Sequence, residues 1–133
     1  MTPALLYRIA SVLLVLYALG HQMGFRRVHP QWNADATVDS MKRTFAVQGR
    51  TRSYWDFFSG FGFFCTALLL FSAVLAWQLG MVAPEVLAAL GLVRWSFAAC
   101  FVAMTAMTWR YFFPAPTIFS ALVAVCLILA ARG

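Results

Sequence analysis

The chain has 133 residues, of which 63% are hydrophobic and only 11% charged, and its formal charge is +6. Ten basic and four acidic side chains cannot cover a water-soluble fold of this size without large apolar patches, which soluble proteins avoid. A bilayer removes that difficulty. The basic excess does not point to nucleic acid, because six of the ten basic residues lie between Arg26 and Arg52, flanking hydrophobic spans where such residues set topology and meet anionic headgroups.

Four apolar spans follow one another, each able to hold the roughly 20 residues that cross a hydrocarbon core. In lipid they must be helices, since isolated strands would leave backbone groups unpaired. The first covers about residues 3–22. Ala18-Leu19-Gly20 could mark a signal-peptide cleavage site, but apolar residues precede the lone Arg8, so a basic leader region is lacking.

Loop one, about thirty residues, is the only extramembrane segment with room for structure. Within it, residues 37–48 read as a short amphipathic helix. Val38, Met41 and Phe45 recur at helical spacing, Lys42 and Arg43 lie off that stripe, and Asp35 or Thr37 can cap the start. Such a helix either lies on the membrane surface or caps the bundle. His29-Pro30 and Gly49 bracket it as turns.

The second span covers residues 54–79. The third falls within residues 84–113. Arg94 either sits inside a span at 86–107 or anchors the interface of one at 95–113, and a long tilted helix covers both readings. Snorkelling to the interface is the plainer expectation for Arg94, and an anion or headgroup site the functional one. The fourth span covers residues 116–131, with Pro114 and Pro116 stopping the third. The fold expected is all-α: a single membrane domain, 1–133, of four antiparallel transmembrane helices with a short amphipathic helix in the first loop.

With four spans, both termini share a side with the second loop. Loops one and three carry most of the charge, so the positive-inside rule puts loop one in the cytoplasm and the termini outside.

The entry to the second helix is the richest stretch. Tyr54 and Trp55 suit a membrane interface, and Asp56 lies one turn deeper, within reach of Arg52 along the helix. Carboxylates inside spans are rare and usually paired or functional. Ser59, Gly62, Thr66, Ala73 and Ala76 form a small-residue stripe, as do Ser96, Ala99, Ala103 and Ala106, which Arg110 continues. Such stripes let helices approach closely. Antiparallel packing of spans two and three would bring Asp56 to Arg110, so an Asp56–Arg110 ion pair supported by Arg52 is expected.

His21 and Gln22 close the first helix on the same side. With Arg52, Tyr54, Trp55, Asp56, Trp109, Arg110 and Tyr111 they could form a polar site opening into a cavity lined by Phe57, Phe61 and Phe64. That site would suit a lipid, sterol-like or quinone-like ligand. The alternative is a satisfied polar cluster that pins helix ends. Catalysis by His21 and Asp56 would require hydrogen-bond reach.

No cofactor is implied, and two histidines give no zinc motif. Cys65, Cys100 and Cys126 sit in apolar runs without a CxxC pair, which removes the local signal for thiol redox chemistry. The first span lacks the carboxylate of four-helix multidrug exporters. There is no nucleophile elbow, phosphate loop or inverted repeat.

The run Arg50-Thr51-Arg52-Ser53-Tyr54-Trp55-Asp56-Phe57-Phe58-Ser59-Gly60-Phe61-Gly62, the exit Trp77-Gln78-Leu79, and His21, Gly24 and Phe25 at the first helix end resemble a family of small uncharacterised bacterial four-helix membrane proteins. The resemblance spans about the first eighty residues. It implies a bacterial inner membrane and brings no activity. A fainter architectural similarity, to emopamil-binding and sigma-2 type proteins, implies a sterol or amphiphile ligand. Three functions follow as expectations: a non-enzymatic structural or partner-binding module, with a membrane-protein partner or as a homo-oligomer; a lipid or hydrophobic-ligand binder; and, third, an isomerase.

Overall fold

A computed structural model describes all residues, Met1–Gly133. Helix α1 spans Pro3–Gly24 and α2 spans Asp35–Met41; strands β1 (Thr44–Val47) and β2 (Arg50–Ser53) follow. Then come α3 (Tyr54–Leu79), α4 (Pro84–Ala89), α5 (Gly91–Tyr111) and α6 (Pro114–Arg132). A single 3-10 turn, Pro30–Trp32, precedes α2. The protein is all-α apart from the hairpin, and α1, α3, α5 and α6 are each long and apolar enough to cross a membrane.

The helix ends follow local chemistry. Thr2 caps α1 by accepting from Leu5 N at 3.3 Å, and Pro3 starts the helix where its missing N–H costs nothing. Pro114 does the same for α6, with Pro116 still inside the first turn, so α6 begins two residues before the expected 116. The third span is not one helix. Leu90, at φ −88° and ψ 28°, separates α4 from α5.

Loop one departs most from expectation. Its helix ends at Met41 instead of running to 48. Thr44–Val47 is a β-branched and aromatic run, which favours a pleated strand. Gln48 and Gly49 have φ of 46° and 75°, the left-handed pair of a two-residue hairpin turn. Val47 therefore pairs with Arg50 and Phe45 with Arg52. Phe45, read as part of a helical stripe, is a strand residue.

The four spans pack as a chain of neighbours, α3 on α1, α1 on α6, α6 on α5. Each contact is antiparallel: Ser11 Oγ donates to the Ala73 carbonyl at 2.8 Å, Tyr17 stacks on Phe119 at 5.5 Å, and Thr108 and Ser120 hydroxyls meet at 3.1 Å. Helices α3 and α5 do not form a close-packed pair. The core lies around α1, where Tyr7, Ala10 and Leu14 are completely buried. Small residues set these approaches: a Cβ on Gly80 would lie 3.0 Å from the Ala4 carbonyl.

Candidate functional site

Two polar clusters are buried or half-buried among the spans, and neither is the one expected from sequence. The first joins α1 to α3. His21 Nδ1 lies 3.0 Å from Thr66 Oγ1, and Thr66 donates toward Gln22 Oε1 at 3.1 Å or the Gly62 carbonyl at 3.2 Å. A hydroxyl has one proton. Thr66 can therefore donate to only one partner at a time, and the donor in its contact with His21 Nδ1 depends on the tautomer of the ring. Phe25 stacks on His21 at 5.1 Å and covers Gly62, where a Cβ would collide with the ring. The Arg26 guanidinium lies over the Phe25 and Phe63 rings at 5.4 and 5.1 Å, a cation–π cover for the cluster.

The second cluster joins α5 to α6 and α4. Arg94 is only 7% exposed, so it does not snorkel. Its Nη2 donates to the Ala130 and Ala131 carbonyls at 2.9 Å each, and its Nη1 to Leu87 at 3.3 Å. These carbonyls end α6 and α4, where helix dipoles favour a cation. The guanidinium caps the end of α6 and adds to the Leu90 N–H bond that already caps the Leu87 carbonyl of α4. The hydroxyl of fully buried Tyr7 lies beside it. Tyr7 Oη and Arg94 Nε are the two buried side-chain polar atoms without a hydrogen bond.

Asp56 belongs to neither. It closes a capping box at the start of α3: Ser53 N and Oγ both donate to Asp56 Oδ2, at 2.8 and 3.0 Å, and Asp56 N donates back to Ser53 Oγ. The expected Asp56–Arg110 ion pair does not form. The one ion pair in the structure is Lys42–Asp39, at 3.4 Å on the surface of α2. Arg110 stacks on its neighbour Tyr111, and Arg52 donates to the Thr51 carbonyl. The reason is packing order: with α1 and α6 lying between them, α3 and α5 do not bring those two charges together.

His21 and Asp56 are also apart. His21 pairs with Thr66, ten residues or about 15 Å along α3 from Asp56. In that antiparallel register Asp56 falls opposite residues beyond the end of α1. The aromatic cavity is absent at its expected place, since Phe61 and Phe64 are 71% and 67% exposed and Phe57 also faces outward. Tyr54 and Phe57 instead receive the Phe45 ring, at 5.1 and 6.1 Å, and Trp55 lies under Lys42 Nζ at 5.9 Å. Trp109 and Tyr111 are exposed at the end of α5.

Thr66 is the residue that sequence reasoning placed only in a packing stripe; a hydroxyl at that depth, opposite a histidine, was the available signal. The small stripe of α3 does pack, but on α1. The stripe of α5, Ser96, Ala99, Ala103 and Ala106, is exposed. Beside it, α5 and α6 leave an open groove of about 410 Å³, lined by Val102, Thr105, Ala106, Trp109, Ala121 and Val125 among others. Comparison with protein-family models, curated proteins and solved structures returns no match.

Proposed function

We propose that this chain is a non-enzymatic membrane module that works by assembly, and that its partner surface is the outer face of α5, taken first by a second copy of the chain. The observation that carries this reading is the outward-facing stripe Ser96, Ala99, Ala103 and Ala106 beside the groove of α5 and α6. In lipid, apolar side chains gain nothing by leaving acyl chains, so association relies on close backbone approach at small residues. The other small stripe, on α3, is already used against α1. The polar clusters support the same reading, because His21, Gln22, Thr66 and Arg94 are engaged in joining helices. A hydrophobic-ligand site beneath loop one loses support with Phe57, Phe61 and Phe64 turned outward.

We further place the chain in a bacterial inner membrane, from the family resemblance, with loop one cytoplasmic, from its excess of Lys and Arg.

The test uses Cys100, which is exposed on α5 beside the stripe. With Cys65 and Cys126 changed to alanine, mild oxidation in native membranes is expected to yield a disulfide-linked dimer. Ala99→Leu with Ala103→Leu should abolish it while the monomer stays folded. A chain that remains monomeric with intact α5 would overturn the assembly reading.

A further inference from the structure

The hairpin of loop one is the feature least explained by helix packing, and its register gives it two faces. Cross-strand partners share a face. Phe45 pairs with Arg52 and Val47 with Arg50, so one face carries two apolar residues and two arginines. The other carries Thr44, Ala46, Thr51 and Ser53.

The apolar–arginine face is directed at the membrane end of α3. Strand β2 runs straight into α3, from Ser53 to Tyr54. The Phe45 ring packs at 5.1 Å on Tyr54 and 6.1 Å on Phe57, both exposed on the outer side of α3. The hairpin therefore lies against the first turn of α3, a helix long and apolar enough to cross a membrane.

The charge at this end is uncompensated. Seven basic residues, Arg26, Arg27, Lys42, Arg43, Arg50, Arg52 and Arg110, face three carboxylates. Asp39 is paired with Lys42 and Asp56 is taken by the Ser53 capping box. That leaves Asp35 alone against six arginines. No carboxylate lies within ion-pair distance of Arg50 or Arg52.

We propose that the hairpin is an interfacial binding site for anionic phospholipid, with Phe45 and Val47 at the acyl boundary and the Arg50 and Arg52 guanidinium groups on the lipid phosphate. Arginine suits this task because its planar fork bonds two phosphate oxygens at once. The lipid is a component of the bilayer the chain sits in, so the site needs no enclosed pocket. Each arginine near an anionic surface strengthens binding by about fivefold.

Native mass spectrometry of the whole chain in mild detergent, titrated with phosphatidylglycerol or phosphatidylcholine, tests the proposal. The first phosphatidylglycerol should bind at least about tenfold more tightly than phosphatidylcholine. Arg50→Gln with Arg52→Gln should remove that preference, whereas Arg8→Gln with Arg132→Gln, equal in charge but at the opposite end, should leave it intact. Equal loss in both pairs would make net charge the cause and overturn the site. Persistence of the preference in the hairpin variant would also overturn it. Millimolar inorganic phosphate should not compete; displacement by phosphate alone would mean a soluble-anion site in which Phe45 and Val47 have no part.

Discussion

Thr66 shows how one hydroxyl can hold two membrane helices. It serves His21 and Gln22 of α1 and the Gly62 carbonyl of its own helix. Thr66→Val keeps the shape and leaves those two side chains without their partner. The expected cost is about 1 kcal/mol, since interhelical bonds in membranes are worth less than their burial suggests. Thr105→Val removes a hydroxyl that bonds only the Phe101 carbonyl within α5, and it should cost clearly less. Thermal unfolding of both variants in one detergent measures the difference. Arg94 sits at the other extreme of consequence. Arg94→Met should destabilise the protein by roughly 2–3 kcal/mol, because three terminal carbonyls lose a charged donor. Arg94→Lys should not rescue it: an ammonium lacks the fork that spans the ends of two helices. Recovery of wild-type stability by lysine would show that charge alone, and not the double cap, is what Arg94 supplies.

At the scale of elements, the hairpin rests on its turn. Gly49 has φ 75° with open space around its Cα, so Gly49→Ala meets no neighbour but strains the backbone. It should lower hairpin stability by about 1 kcal/mol, while Gln48→Gly, at φ 46°, should not. Hydrogen exchange at the amides of residues 44–53 reads this directly. The same segment marks the limit of what sequence made legible. Helix α3 was readable to both ends from its long apolar run and the interfacial Tyr54 and Trp55, whereas the Ser53–Asp56 capping box at its start was missed because Asp56 was expected to pair with Arg110. In loop one, Val38, Met41 and Phe45 fitted a helical period, and the stripe ran on past its true end. The competing signal was the alternation in Thr44–Val47 followed by Gln48-Gly49, a short hairpin whose turn lacks the usual asparagine. The break at Leu90 was signalled only by the adjacent Gly91, which a long tilted helix was read as tolerating. The site was legible in its members and not in its pairings: His21 and Gln22 were recognised, but their depth depends on α1 continuing to Gly24 and on its register against Thr66.

For the molecule as a whole, the decisive arrangement is that α1 sits between α3 and α6. Small residues on two sides of α1 allow this: Ser11 reaches the Ala73 backbone, while Ala10 and Ala18 are buried without protruding. A short connection between α3 and α5 suggested instead that those two would pack, and their stripes seemed to match. The helical insertion α4 and the cap that Arg94 provides hold α5 against α6 and leave its small face outward. In this order the charges at the loop-one ends of α3 and α5 are independent. Asp56→Ala should cost about 1 kcal/mol through the lost capping box. Arg110→Ala should stay within about 0.5 kcal/mol of wild type, being an exposed residue stacked on its neighbour. The double variant should then equal the sum of the singles to within about 0.5 kcal/mol. A coupling above about 1 kcal/mol in this double-mutant cycle would put Asp56 beside Arg110. It would bring α3 against α5, close the row of helices into a ring, and bury the very stripe on which assembly is proposed to depend.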